Sequence, residues 1–600
     1  TGATAVRFNG VTTTFTVVSA TQITTVVPVS ATTGTISVTT AGGTATSSAS
    51  FTVTVLAPTI TSFSPTSGPV GTVITITGSD FNGATAVRLN GTNTVFTVVN
   101  SGLITCTVPA GATSGPLRVV TPAGNATSST SFTVTTVTLP VITRGAYMVG
   151  PSSASINIQW RTNVACGSEV RYGTSAASLN SVVTDSVQLT DHTITLDNLS
   201  PNTKYFYSIG TPGTVLQSGA DNFFYTAMPA GSIDTLRFWV TGDFGNNSTN
   251  QVNTMNAFLN YTASSPVHGW LWLGDNAYTY GTDAEYQTNV FNVYTSLLRR
   301  LPVYPALGNH DYGLTGYLSA TSLGTTAPYF SIFSIPSNSG TEKYYSYNNG
   351  DVHFIVLDSY GSYNVSGSAM YNWLQNDLIN NTRTWTVVYF HHPPYTKGSH
   401  NSDTETELID MRSNIIPLLE QYGVDLVFGG HSHSYERSML IKGHYGLEST
   451  FNTNLFPSGN VVQSSVNAYT KSSLRGDGTI YLVCGVSGQT AGTTSSGYPH
   501  NAMQVSTNAN NGSVILEVLG GGLSCKFLTT AGSIYDQFTM TKTAAQPRLS
   551  DDPASSAAEY FDITGRYLGT DYFTLPLNEL VIVRYREGGA LKSRKIIRIP

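Results

Sequence analysis

The sequence predicts a multidomain protein: β-sandwich modules, then an α/β domain, then a small C-terminal β-sandwich. Three observations carry this reading. Residues 2–10 (GATAVRFNG) recur as residues 83–91 (GATAVRLNG), and residues 50–53 (SFTV) recur as residues 131–134 at the same offset. Within each copy, alternating Thr/Val-rich runs are separated by Gly, Ser, Asn and Pro turns, the pattern of short half-buried strands. After Ile233 the pattern changes to short apolar runs alternating with helical stretches, which is the sign of an α/β domain with covered sheets. At 600 residues the chain is also too long for a single hydrophobic core.

Charged residues make up only 10% of the chain and hydrophobic residues 40%, a profile that suits β-rich extracellular modules. The net charge of -6, with no arginine-rich run before the last few residues, leaves no basic field to hold nucleic acid and excludes that class of partner. The 4 cysteines, Cys106, Cys166, Cys484 and Cys525, are too few for a disulfide framework and show no CxxC spacing for zinc. Cys484 and Cys525 share a candidate domain and are the pair placed to bridge; two buried free thiols is the other reading. No stretch approaches the ~20 apolar residues that cross a bilayer, so no transmembrane segment is expected and the chain reads as soluble. It opens at Thr1 inside a module, so any export signal is expected upstream.

The elements follow in order. Residues 58–78 (PTITSFSPTSGPVGTVITITG) open the second repeat copy and resemble the IPT/TIG immunoglobulin-like family. The first copy lacks that opening, so residues 1–56 read as a truncated IPT/TIG sandwich and 57–136 as a complete one. Residues 140–229 form a different β-module, marked by INIQW ending at Trp160 and by LSPNTKYFY ending at Tyr207, which resemble the core strands of fibronectin type III sandwiches. Trp160 and Tyr207 are read as core. The α/β domain runs over 233–543. One helix in it, over 405–422, sets Leu408, Met411, Ile415, Leu418, Leu419 and Tyr422 at three- and four-residue spacing, so that face should pack on a sheet.

Five strands of this domain end in clusters of metal-ligand residue types, where open α/β sheets keep their sites. LRFWV (236–240) runs into Asp243 in GDFG, and WLWL (270–273) into Asp275 and Tyr278 in GDNAY. VYPAL (303–307) runs into Asn309, His310 and Asp311 in GNHD. WTVVYF (385–390) runs into His391 and His392, and VDLVF (424–428) into His431 and His433 in GHSH. Any one cluster alone reads as a turn. Five in one domain supply carboxylate, amide, phenolate and imidazole donors enough for two metal ions.

These blocks resemble the five-block ligand pattern of the purple acid phosphatases, within the calcineurin-like metallophosphoesterases, over roughly residues 140–543. The resemblance implies an αββα sandwich, preceded in plant-type members by a β-module like 140–229. It implies a binuclear centre in which Asp243, Tyr278 and His433 hold Fe(III), Asn309, His391 and His431 hold a divalent ion (zinc, manganese or iron), and Asp275 bridges. Ligand chemistry agrees: hard ferric iron favours carboxylate and phenolate oxygen, while imidazole and amide suit the divalent ion. Tyr278 is the discriminating residue, because its phenolate implies a purple colour from charge transfer to iron. The protein phosphatases of the superfamily carry GDxVDRG in place of GDNAY.

The resemblance further implies hydrolysis of phosphate monoesters, with an acid optimum, by metal-hydroxide attack on phosphorus. Two ions about 3.5–4 Å apart would bind the ester and stabilise an in-line displacement. A protonated histidine would assist the leaving alcohol. His310 is the first candidate and His400 the second, both as catalytic and substrate-binding residues. Asn309 and His392 complete the substrate-binding set, with a structural role as the other reading for His392. Glu436 and Arg437 are expected to form an internal ion pair.

Residues 541–558 read as a low-complexity linker. Beyond it, YFDITGR (560–566), LVIVRYR (580–586) and the basic end KSRKIIRIP (592–600) alternate like strands of a small sandwich and resemble, over 559–600, the C-terminal sorting domain of type IX secretion in Bacteroidetes. This implies the type IX machinery as a partner and a secreted or cell-surface location beyond the outer membrane. Two other functions stay open: a phosphodiesterase, nucleotidase or phytase-like hydrolase on the same site, since loops set the leaving group, and a surface adhesion or glycan-binding protein with a vestigial hydrolase domain. The IPT/TIG modules are read as an elongated spacer, with a surface glycan or protein as their other partner.

Overall fold

The computed structural model describes residues 1–136, 138–313, 326–360, 364–454, 462–465, 467–471, 477–492 and 497–542, with 559–562, 567–569, 580–587 and 590–597 beyond them. The chain divides into two units, residues 1–139 and 140–600.

In the first unit the two repeat copies fold differently. The second copy has a five-stranded and a four-stranded sheet, and Ile74, Ile76, Val87, Leu89, Ile104, Leu117, Val119 and Phe132 are fully buried in one cluster. The first copy has one four-stranded sheet and a two-stranded ribbon, Phe15–Val17 with Ile23–Thr25. In this copy Val6 and Phe8 are buried, and Val18, Val26 and Val29 are exposed.

In the second unit, residues 142–225 build strands around a core of Ile156, Ile158, Trp160, Leu196, Tyr207 and Phe224, so Trp160 and Tyr207 are core residues. The Ile142–Val149 strand of this module also pairs, through Val149 and Val303, with a strand of the following domain. The Tyr147 hydroxyl donates to the Ile332 carbonyl (2.6 Å) and the Tyr207 hydroxyl to the Arg299 carbonyl (2.7 Å). The module thus continues a sheet of its neighbour.

That neighbour consists of two stacked sheets. In the first, Val303–Pro305, Gly269–Trp272 and Leu236–Thr241 lie side by side and parallel, followed by the antiparallel Gly512–Leu519, Gly522–Thr529 and Ile534–Lys542. The second is seven-stranded, with Val352–Val356, Trp385–Tyr389, Leu426–Gly429 and Ile480–Cys484 parallel at its centre. Strand alternation sorts the second sheet onto two cores. Phe354, Val387, Tyr389, Phe428 and Leu482 face the first sheet, where Phe238 meets Phe354 (4.7 Å between centroids) and Phe527 stacks on Tyr435 (4.0 Å). Ile355, Val388, Phe390, Val427 and Tyr481 pack instead with Met370, Leu374 and Leu378 of the Ala369–Asn380 helix. On the outer face of the first sheet, Trp239 stacks on Phe258 of the Thr249–Tyr261 helix at 4.2 Å.

Several expectations change. The helix expected over 405–422 is interrupted: Thr406–Asp410 and Ile416–Gln421 are α-helical, and Met411–Ile415 between them is a π-turn. Pro417 has no N–H to return to the preceding turn, which accounts for the wider loop. Leu408, Met411, Ile415, Leu418 and Leu419 of the anticipated face are nonetheless buried, and Tyr422 is partly buried. Glu436 and Arg437 do not pair, because neighbours in the Tyr435–Ser438 strand point to opposite faces. Arg437 forks onto Asp536 (2.6 and 3.0 Å), while Glu436 accepts from Ser434 (2.7 Å) and Thr396. All four cysteines are buried free thiols, so Cys484 and Cys525 are not bridged. Thr541 and Lys542, expected in the linker, end the Ile534–Lys542 strand; residues 543–558 of that linker and the expected Gly565–Arg566 turn lie outside the described residues. The C-terminal runs form one four-stranded antiparallel sheet. Among the described residues no helix is long and apolar enough to cross a membrane.

Candidate metal centre

The five polar clusters lie at the C-terminal ends of five parallel strands. Three of these strands are neighbours in the first sheet and two are neighbours in the second, so the stacking of the sheets brings their end loops together. Asp243, Asp275 and His431 take left-handed backbone conformations (φ 55, 50 and 64). Such conformations cost a non-glycine residue roughly 1–3 kcal/mol and cluster at functional sites. Specific bonds hold them: the His431 N–H donates to Asp243 Oδ2 (2.8 Å), and the His310 N–H to Asp275 Oδ1 (2.9 Å). The approach is close enough to require glycine. A Cβ on Gly308 would lie 2.2 Å from Asp275 Oδ1, and one on Gly430 2.6 Å from Asp243 Oδ2.

Tyr278 joins the two carboxylates, its hydroxyl donating to Asp243 Oδ1 at 2.9 Å and lying 3.2 Å from Asp275 Oδ2. His433 Nε2 is 3.4 Å from that hydroxyl and 3.5 Å from Asp243. On the other side, His391 Nε2 is 3.3 Å from Asp275 Oδ2 and 3.2 Å from His431 Nδ1. His391 Nδ1 faces the Leu273 carbonyl at 2.9 Å, so Nδ1 carries the hydrogen and Nε2 is left as a ligand atom. Asn309 Oδ1 is buried with no hydrogen-bond partner among the described residues. Six of the seven expected ligands thus form one chain of contacts, and the seventh, Asn309, sits beside His310 with a free acceptor.

The electrostatics describe a site built for cations. Burial and the two carboxylates push the Tyr278 phenol well above its ordinary pKa. Burial works against Asp275, but the imidazoles of His391, His310 and His431 hold its carboxyl below the usual range. Burial would depress His391, yet Asp275 and Asp243 lift it to about 9. Burial, with His400 and His391 nearby, lowers His431 to about 4. A bound cation reverses this logic, stabilising phenolate and neutral imidazole together. Buried carboxylates, a phenol between them, inward imidazoles and an unpartnered amide oxygen therefore fit metal ions as ligands.

The remaining expected residues line the margin. His310 donates from Nδ1 to the Thr279 carbonyl (2.6 Å), with Nε2 3.7 Å from Asp275 and its ring 4.6 Å from that of Tyr278. His400 is half-buried, its ring 3.7 Å from that of His431. His392 is buried against His431 (4.5 Å between centroids), with Nδ1 2.8 Å from Ser359 Oγ.

Sequence reasoning passed over three residues here. Asp311, fully buried, accepts from the N–H groups of Asn276 (3.0 Å) and Gly308 (2.8 Å), the Asn276 amide (3.0 Å) and the Tyr286 hydroxyl (2.6 Å), binding two ligand loops to one carboxylate. It stands in the GNHD block, where residue type alone does not tell a brace from a ligand. Glu405 contacts His400 and His431, and Gln489 Nε2 lies 3.4 Å from His433 Nε2. Neither stands in a recognisable block.

Comparison with known proteins agrees with this geometry. Residues 236–435 match the calcineurin-like phosphoesterase family, residues 146–226 the purple acid phosphatase N-terminal domain, and residues 58–136 the IPT/TIG domain. Purple acid phosphatase 15 of Arabidopsis thaliana is 30% identical over 278 residues, covering 41% of this chain and 49% of that protein. A purple acid phosphatase of Glycine max is 30% identical over 262 residues, covering 41% and 52%. The chain thus spans about half the length of these curated relatives. The solved purple acid phosphatase from yellow lupin (Lupinus luteus) seeds superposes with a TM-score of 0.55 at 16% identity, over 81% of this chain and 96% of that one, a likeness of fold. The chain carries a calcineurin-like phosphoesterase domain behind β-rich modules that include an IPT/TIG domain.

Proposed function

We propose that this chain is a secreted binuclear-metal phosphatase that hydrolyses phosphate monoesters. The observation that carries the reading is Asp275, which touches Tyr278 on one side and His391 on the other. It divides the donors into an oxygen-rich set, Asp243, Tyr278 and His433, suited to ferric iron, and a set of His391, His431 and Asn309 suited to a divalent ion such as zinc, manganese or iron, with Asp275 between them as the bridge. When bound, such a pair supplies Lewis acidity to the phosphoryl oxygens and activates water near neutral pH.

The protein's own residues do the rest. His310, fixed through Nδ1 to Thr279, holds Nε2 at the edge of the site, where it can bind a phosphoryl oxygen and carry the proton for the leaving alcohol. We take His400 and His392, whose rings lie 3.7 and 4.5 Å from that of His431, as the substrate-side histidines. The tight glycine approaches at Gly308 and Gly430 keep the ligand loops in register.

Export rests on sequence: residues 559–600 resemble a type IX sorting domain, and the location proposed is beyond the outer membrane of a Bacteroidetes-type bacterium. The IPT/TIG modules act as a spacer.

The test is turnover after reconstitution with iron and zinc. An aryl phosphate monoester is expected to be cleaved faster than the corresponding diester, with Asp275→Asn reducing kcat/KM by roughly 100-fold or more. Preference for the diester would reassign the protein as a phosphodiesterase. No turnover on either would favour the adhesion reading.

A further inference from the structure

One carboxylate beside the centre has no part in the ligand set. Glu405 occupies the N-cap position of the Thr406–Asp410 helix, yet its side chain does not cap that helix. Its Oε1 accepts the Asn401 N–H at 2.9 Å. Its Oε2 faces two imidazoles at once, His400 Nδ1 at 2.9 Å and His431 Nε2 at 3.2 Å, and the two rings lie against each other at 3.7 Å.

A carboxylate accepts hydrogen bonds and does not donate them, so both nitrogens facing Glu405 carry their hydrogens. For His431 this selects the Nε2–H tautomer and leaves the Nδ1 lone pair on the side of His391 Nε2, 3.2 Å away. Without that acceptor, the tautomer that hides the Nδ1 lone pair would compete. For His400, the same bond holds the ring against that of His431 and leaves Nε2 as the nitrogen not committed to Glu405.

We propose that Glu405 is the positioning residue of the divalent-ion half of the centre: it holds His431 in the tautomer that presents Nδ1 to the metal and seats His400 beside it. The inference rests on the binuclear reading above. It adds that a single carboxylate ties a metal ligand to a substrate-facing histidine. The other half, Asp243, Tyr278 and His433, makes no contact with Glu405 among those described, so the effect should be confined to one metal.

The test counts metal, not turnover. Full-length wild-type and Glu405→Gln proteins are loaded with ferric iron and zinc, dialysed against graded chelator and analysed for both metals per chain. In Glu405→Gln, zinc is expected to be lost at roughly 10- to 100-fold lower chelator strength, with iron retained as in wild type. Glu405→Asp, which keeps the charge at shorter reach, should fall between the two and serves if the glutamine variant does not fold. Zinc retention within about twofold of wild type, or equal loss of both metals, would overturn the proposal while leaving the binuclear reading intact. A wild type that holds neither metal would overturn both.

Discussion

Asp311 shows how much of this site depends on a residue that need not touch a metal. Its carboxylate receives four donors from three places in the chain, two of them on Asn276 in the GDNAY block and one on Gly308 in the GNHD block. Burial, with Asp275 nearby, raises its pKa to about 7, so the bonds it accepts are what keep it useful in a dry setting. Asp311→Ala would strand those donors away from water. It should lower unfolding stability by about 2–4 kcal/mol in urea titration, and metal retention should fall with it. A loss below about 0.5 kcal/mol would mean that water replaces the carboxylate. The residue types of the ligand set were legible because each follows an apolar strand directly. Asp311, Glu405 and Gln489 were not, because contacts such as Tyr286 to Asp311, His431 to Glu405 and His433 to Gln489 join residues 25 to 56 positions apart.

At the scale of elements, the β-module of residues 142–225 does more than precede the hydrolase domain. Arg144, fully buried, bonds Gln287 Oε1 and Asp283 Oδ1, both at 2.9 Å, and lies 4.2 Å from the Phe291 ring. Arg161 forks onto the same Asp283. These partners sit on the short helix Asp283–Glu285 and the π-turn Tyr286–Phe291. The same segment sends Tyr286 to Asp311, and Glu285 to the N–H groups of Thr279 and Tyr280 beside Tyr278. The module therefore braces the loop that carries the phenol. Arg144→Ala should speed amide hydrogen exchange across residues 283–291 by at least about tenfold, equivalent to about 1.4 kcal/mol of local stability. Unchanged exchange there would show that the brace is not needed. Sequence periodicity gave no sign of this coupling, and it read residues 405–422 as one helix without its π-turn, since the apolar residues on either side of the turn still fall three or four apart.

For the whole molecule, the sequence distinguished the repeated modules, the change of fold class near Ile233 and the five ligand blocks, because each leaves a local pattern of period or composition. It could not show that the two sheets stack with their parallel strands ending on one side, which is what turns five separate loops into one centre. The proposed binuclear centre, with Tyr278 as a ligand, depends on this stacking, and metal analysis with a visible spectrum reads it out. Wild-type protein loaded with iron and zinc should hold about one of each per chain and show a broad visible band, and Tyr278→Phe should lose the band. A band that survives in Tyr278→Phe, or a folded wild type that binds no metal, would contradict the account.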